Sequence, residues 1–512
     1  MRCVLAHDVG TTGDKATLYD EEGALVRSAF VSYETLCPRA GWLEQSPHDW
    51  WRALCQATRD LIRESGASPA EIAVVSFSGQ MMGAVAVDAA ANPLRNAIIW
   101  ADQRALQEVA GVSERVDPGR VYALTGHRLS PSYSAAKIAW IKEREPQSYA
   151  AAHAFLNAKD FLAAKLTGAF VTDRSDASGT NLYDLERGTW SDELVDAFRI
   201  DAEKLPAICD STAVVGEVSA GAAAETGLRP GTPVVIGGGD GSCAGVGAGV
   251  IREGLAYNYI GSSSWIALAT SRPILDPEMR TFTWAHLVPA MFSPCGTMQA
   301  AGGSYQFARD LLAESEKAVA ESLGTSAYEL MNQEVLQSPP GARGLLFLPY
   351  LIGERSPRWN PEARAAFIGL TNRHRRPDLL RAVLEGVTLN LRIILEAFTQ
   401  QGAAIESLRV IGGGARSAVW NQIIADVFGI PVHRLSLLEE ATSMGAAAAG
   451  GVGAGIWRDF SKVDEMVQIA SEAKPRTELR ALYDELSAVF DTAYAALDGS
   501  SVFTRLATVD TA

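Results

Sequence analysis

No stretch of the 512-residue chain approaches about 18 unbroken apolar residues, so no segment is expected to span a bilayer. The opening MRCVLAHDVG places a charged and a polar residue within its first eight positions and offers only a short apolar run, which predicts no secretory leader. Cysteine is scarce, at six residues, and scattered: there is no CxxC pair and no clustered histidine to complete a zinc site. Reduced, mostly buried thiols in a cytoplasmic setting are the expectation. Basic charge is in deficit, with 45 Lys+Arg against 60 Asp+Glu and a formal net charge of -15, which argues against nucleic acid or an anionic membrane as partner. No lysine follows a glycine, so there is no GxxxxGK[ST] phosphate loop, and no HExxH occurs either.

What remains is ample apolar material, 47% of residues, with 21% charged, enough for a large core divided into about three domains or two of roughly 250 residues. Strand-like and helical segments alternate throughout, the pattern of a layered α/β protein. Val4 to Ala6, the turn Gly10-Thr11-Thr12-Gly13 and Ala16 to Tyr19 read as a hairpin; Trp50 to Ser65 reads as an amphipathic helix and Ala73 to Phe77 as a buried strand. Leu255 to Ala269 repeats the hairpin around Gly261-Ser262-Ser263, as expected of two similar domains facing each other across a cleft. The glycine-rich run Gly237 to Gly249 is expected to join them, giving domains 1–248 and 249–512 with a mobile hinge near Gly245 to Gly249.

Three glycine motifs invite chemistry. Asp8-Val9-Gly10-Thr11-Thr12-Gly13-Asp14-Lys15 puts a carboxylate at a strand end before a hydroxyl-rich turn, a pattern able to hold hydrated Mg²⁺ and cradle phosphate. The strand Val234 to Ile236 runs into three glycines and then Asp240, which reads either as an exposed reactive carboxylate or as a helix N-cap. Gly412-Gly413-Gly414-Ala415 again lies between a strand and a helix, Trp420 to Phe428. Gly239 to Ala244 also satisfies GxGxxA, but the acidic residue expected about 20 positions later is missing.

Taken together, these motifs resemble those of the FGGY carbohydrate kinases, in particular their xylulokinase-like branch. Ser132-Tyr133-Ser134-Ala135-Ala136-Lys137-Ile138-Ala139-Trp140 is similar to the first family signature. Ala365 to Leu370, followed after seven residues by Asp378 to Glu385, is similar to the second, and Gly353-Glu354-Arg355-Ser356-Pro357 agrees as well. The resemblance implies two actin-like ATPase (ribonuclease H-like) domains around a catalytic cleft, with ATP and Mg²⁺ as cofactors and a small sugar or polyol as substrate.

It also implies roles. Asp240 would be the catalytic base and Asp8 the metal-holding carboxylate; Thr11, Thr12 and Lys15 would face the γ-phosphate, and Gly261 and Ser262 the other phosphates. Gly302, Gln306, Gly413, Gly414, Ala415 and Asn421 would surround the nucleotide. Gln80, Met81, Met82, Trp100 and Asp102, with Asp240, would meet the sugar. Met82 stands where xylulokinases typically carry histidine, which removes a hydrogen-bond donor. That departure counts against D-xylulose itself, while the resemblance still implies a ketopentose such as xylulose, or a related pentulose or pentitol. Tetritol, gluconate or a glycerol-like polyol is the alternative, and an actin-like ATPase with a protein partner the rival. Trp100, Asp102 and Arg104 have a structural salt bridge beneath a tryptophan as their other reading, which for Arg104 is as good as ligand contact. Asp173, Ser175, Asp176 and Ser178 are similar to a family segment that a capped turn would explain. A homodimer is the default for a closed assembly.

Overall fold

Two mixed sheets of seven strands each carry the chain in a computed structural model that describes residues 2–509. Met1 and residues 510–512, the outer ends of the two expected domains, lie outside the described residues. In the first sheet Cys3–Val9 and Gly13–Tyr19 form the expected hairpin, Leu25–Ser32 extends it, and Ile72–Gly79 runs parallel to Cys3–Val9 on its other side. Pro233–Val235 and Val214–Glu217 complete the order.

The second sheet repeats this plan. Gly254–Ile260 pairs with Ser264–Leu268 and then Phe292–Met298, while Ile405–Ile411 and Val432–Leu435 add in parallel and Ile469–Ala473 closes antiparallel. Cys3, Val4, Leu5 and Ala6 are all fully buried, because helices cover both faces of the central strands; this is why these strands read as unbroken apolar runs rather than alternating ones. One covering helix, Pro47–Ser65, starts with proline in its first turn and ends at Gly66 in the left-handed conformation, burying Trp50, Leu54, Thr58 and Leu61 against the sheet. His7, unexplained by sequence, is buried there with Nδ1 2.8 Å from Asp14 and Nε2 3.2 Å from Thr58.

The run Gly237 to Gly249 is not an extended linker. It forms the short strand Gly238–Gly239 and the helix Asp240–Gly247, and Arg409 Nη1 donates to Ala248 O at 2.7 Å just beyond it. This helix crosses a second small-residue helix, Ala441–Gly453, with the backbones in contact. A Cβ on Gly247 would fall 1.8 Å from the Ala441 carbonyl oxygen, and one on Gly445 2.0 Å from that of Cys243. The helix Ala441–Gly453 belongs in sequence to the second half yet packs through Ala446 and its neighbours on Val4, Ala6 and Val74 of the first sheet. Ala244 and Ala248 in turn pack with Tyr257 and Ala267 of the second. Each half therefore sends one small-residue helix to the seam.

Among the described residues no helix is long and apolar enough to cross a membrane. All six cysteines are free, four of them buried and Cys37 exposed.

Candidate active site

Two carboxylates stand at the carboxyl ends of first-sheet strands. Asp8 lies near the end of Cys3–Val9, opposite Ser78, whose hydroxyl donates to Oδ1 at 2.9 Å; the Thr442 hydroxyl, from the crossing helix, donates to Oδ2 at 2.5 Å. Burial raises the proton affinity of Asp8, and these two hydrogen bonds oppose it. Gly238 and Gly239 pair with Ser78 and Gly79, which delivers Asp240 beside Asp8 as the first residue of its helix; the capping position is Gly239. Burial, and next the charge of Asp8, push Asp240 up to about 7, while the Gly241 amide at 2.7 Å favours the ionised form. A carboxylate with this proton affinity is suited to accept a proton near neutral pH.

Beside Asp240 lies a cavity of about 210 Å³ built by both halves. Met81, Met82 and Trp100 face it from one side, and Tyr257, Trp265 and Trp284 from the other. Trp265 Nε1 donates to the Tyr257 hydroxyl, which donates to the Gly241 carbonyl, both at 2.8 Å, so the aromatic wall is tied to the residue after Asp240. Thr297, Gln299 and Arg355 add polarity. Buried Glu354 accepts from the backbone amides of Gln299 and Arg355 at 2.9 Å, and its burial pushes it up to about 8. Arg355 stands 6.0 Å from the Trp359 ring and pairs with no carboxylate among the described residues.

Two residues expected to meet the sugar lie outside this cavity. Gln80 is buried away from the cavity, its Nε2 donating to Gly10 O at 3.2 Å and to Gln45 Oε1 at 2.8 Å, so it braces the hydroxyl-rich turn. Asp102 is fully buried and consumed by Arg104 at 2.8 to 3.0 Å and by the Leu43 amide at 2.5 Å. Arg104 itself lies over the Trp42 and Trp140 rings, at 4.0 and 5.0 Å, so the salt-bridge reading holds. Trp100 lines the cavity and donates through Nε1 to Thr11 Oγ1 at 3.0 Å.

A second cavity, of about 450 Å³, opens in the second half. Gly261, Ser262, Gly302, Gln306, Gly413 and Gly414 all line it, brought together from three separate stretches of sequence. Gly412 sustains the loop at φ +86, where a Cβ would fall 2.7 Å from the Ile260 carbonyl oxygen. Ala415 and Asn421 lie behind the loop instead: Asn421 Nδ2 donates to Ala415 O at 2.9 Å, holding it from beneath. Tyr305, Tyr328 and Trp420 supply aromatic surface that sequence reasoning missed. Thr12 is exposed at the turn. Lys15 reaches across the seam to Glu440 Oε1 at 3.1 Å and Glu439 O at 3.0 Å. Thr442 and Glu440 escaped notice because they lie more than 400 residues from the carboxylate and lysine they touch.

Residues 3–247 match the N-terminal domain of the FGGY family of carbohydrate kinases, and residues 256–454 its C-terminal domain. A xylulose kinase of Bacillus subtilis (strain 168) is 30% identical over 96% of this chain and 97% of its own. A gluconokinase of Bacillus licheniformis is 30% identical over 98% and 97%. The crystal structure of xylulose kinase from Rhodospirillum rubrum superposes with a TM-score of 0.90 at 30% identity, covering 98% of this chain and all of that one. The two facing actin-like domains are thereby those expected, and the chain belongs to the FGGY family of carbohydrate kinases as an ATP-dependent sugar kinase.

Proposed function

We propose that the protein transfers the γ-phosphate of ATP to a hydroxyl of a pentulose or pentitol, with Asp240 as the base. The observation that carries this reading is the position of Asp240: beside Asp8, lining the cavity that suits a single short sugar, and tuned to about 7. A sugar hydroxyl is too weak an acid to ionise beforehand, so the base must take its proton as the oxygen–phosphorus bond forms. Phosphoryl transfer otherwise asks for alignment and charge neutralisation. Gly261, Ser262, Gly302, Gln306, Gly413 and Gly414 would receive the nucleotide, and Thr11 and Thr12 would donate to its phosphates. Lys15 would join them on leaving Glu440. Trp100, Met81 and Met82 would pack against the sugar.

Mg²⁺ fits the site. Asp8 and Asp240 are adjacent carboxylates, and Asp8 raises the proton affinity of its neighbour, a charge conflict that a cation relieves. No group of three or more candidate protein ligands exists among the described residues. That suits a hard ion held by one carboxylate, water and phosphate oxygens. Asp8 would hold it, and the bound ion would neutralise phosphate charge.

One observation favours a second substrate. Arg355 lines the sugar cavity with no carboxylate at ion-pair distance among the described residues, its neighbour Glu354 being held toward its neutral form by burial, and a gluconokinase is among the relatives, so an aldonate such as gluconate could present its carboxylate there. ADP release measured across ketopentoses, pentitols, tetritols, gluconate and glycerol decides. Turnover confined to pentuloses or pentitols supports the first reading, and gluconate the second. Stimulation by none of them, but by a polypeptide, would return the rival ATPase.

A further inference from the structure

The buried Lys159 cluster lies outside both cavities, and no role in the proposed reaction has yet been given to it. Lys159 Nζ lies 2.6 Å from Asp160, 3.0 Å from Asp173 and 3.1 Å from Asp176, all four side chains fully buried. Burying one ammonium among three carboxylates is costly, and apolar residues of equal volume would commonly serve stability as well. Capping the short helix Arg174–Ser178 needs only Asp173, which accepts from the amides of Ser175 and Asp176.

The rest of the cluster leads to the proposed base. Asp173 Oδ2 accepts from the hydroxyls of Ser175 at 2.6 Å and Ser211 at 2.8 Å. A serine hydroxyl has one proton; with that proton committed to Asp173, a lone pair of Ser175 Oγ faces the Gly239 amide, which donates to it at 2.9 Å. Gly239 immediately precedes Asp240. A Cβ on Gly238 would fall 2.8 Å from the same Ser175 oxygen, so the glycine backbone rests directly on this serine. On the far side, Ser178 donates to Ser175 O at 2.6 Å and accepts from the Ala285 amide at 3.1 Å. Ala285 O in turn accepts from Ser242, two residues after Asp240, at 3.2 Å. The chain is thus gripped just before and just after Asp240 by one connected set of hydrogen bonds.

We infer that Ser175, anchored by Asp173 and Lys159, is a positioning residue that fixes the backbone of Asp240 for proton transfer. This rests on Asp240 being the base. Ser211 supplies the internal control: it is also buried and its hydroxyl donates to the same Asp173 oxygen but to no backbone next to Asp240, while its carbonyl, which accepts from the Gly237 amide at 3.1 Å, is kept in Ser211→Ala.

The test is steady-state kinetics of Ser175→Ala, Ser211→Ala and Asp240→Asn in the full-length protein, with MgATP and either D-xylulose or D-gluconate as acceptor. Ser175→Ala is expected to lower kcat about ten- to a hundredfold, as sub-ångström misplacement of a reacting group does, with KM for ATP within about twofold of wild type. Ser211→Ala should leave kcat within about twofold. If Ser175→Ala does not fold, Ser175→Cys is measured, which keeps an atom in place and weakens its hydrogen bonds; a kcat loss of about tenfold is then expected. Equal effects of the serine variants on kcat, or a wild-type kcat in Ser175→Ala, would overturn the proposal while an inactive Asp240→Asn leaves the base intact. Substantial turnover by Asp240→Asn, or none by wild type on either acceptor, would instead remove the reading beneath it.

Discussion

The charge of Asp240 is a stability cost with a defined pH signature. An unfolded chain ionises this carboxyl near 3.8, whereas burial and the neighbouring Asp8 hold its proton to about 7 in the native protein. Native stability therefore falls as pH rises between those values and is constant above them. At 1.36 kcal/mol per tenfold, the full penalty is about 4 kcal/mol. Asp240 is part-exposed, and solvent screening reduces the penalty to on the order of 2 kcal/mol.

Replacing Asp240 by asparagine keeps the oxygen that accepts from Gly241 and deletes the charge. For a cooperative unit of about 250 residues, that amount raises Tm by roughly 4 °C at pH 8, and by less than half as much at pH 5, where the native carboxyl is neutral. Scanning calorimetry of nucleotide-free protein in the presence of a chelator reads it directly. A Tm for Asp240→Asn that fails to rise at pH 8, or rises equally at pH 5, would refute the reasoning. The same proton affinity bears on the kinetics: kcat/KM for MgATP, which reports the enzyme before the metal arrives, should fall tenfold per pH unit below about 7, while the acid limb of kcat lies lower once Mg²⁺ offsets the charge of Asp8.

Asp240→Asn should lose at least a hundredfold in kcat yet bind ADP as wild type does, checked by fluorescence titration; a loss below tenfold contradicts the base. Lys137 is fully buried, pushed down to about 7 by desolvation, and donates to the carbonyls of Ser132 and of Met82, which is held at φ +63 in the cavity beside Asp240. Lys137→Met releases that backbone and should raise sugar KM about tenfold with ATP KM unchanged, whereas parallel changes in both would mean general loosening. Glu440→Gln frees Lys15 from a part-buried pair, and ATP KM should fall about two- to fivefold; an increase would show that the pair itself organises the phosphate site.

Hairpins, strands and the paired-domain plan were legible because each rests on local chemistry: glycine at the turns, unbroken apolar runs in doubly covered strands, and a proline-started amphipathic helix at Pro47–Ser65. The cavity-lining glycines were legible for the same reason, since bare backbone has a sequence signature. Side-chain placement was less legible. Gln80 and Asp102 carry sugar-binding chemistry, but whether an amide or carboxylate faces a ligand or a neighbour depends on partners distant in sequence, here Gln45, Leu43 and Arg104 on its two tryptophans. Trp265, Trp284 and Thr297 went unassigned because strand alternation marks a face without saying whether it borders core or cleft.

The overall charge of -15 left open how such a chain could accept a polyphosphate. The cations nearest the hairpin turn and the glycine loop are already neutralised by the segment at the seam: Glu440 holds Lys15, and Glu439 holds Arg416 at 2.6 Å. Immediately downstream, Thr442 holds Asp8 and Ser443 lies 3.1 Å from the Tyr19 hydroxyl. One short stretch therefore touches the first-half carboxylate, the first-half lysine and the glycine loop of the second half. The exposed Glu439–Arg416 pair is of a kind worth about 0.2–1 kcal/mol, and the Glu440–Lys15 pair, though part-buried, is a single contact at 3.1 Å, so an incoming phosphate can exchange with both glutamates. Released, those glutamates would repel the phosphate that had replaced them unless the segment moved with the seam helix. Anion binding and domain closure would thus be coupled through residues 439–443, without the chain needing a basic surface.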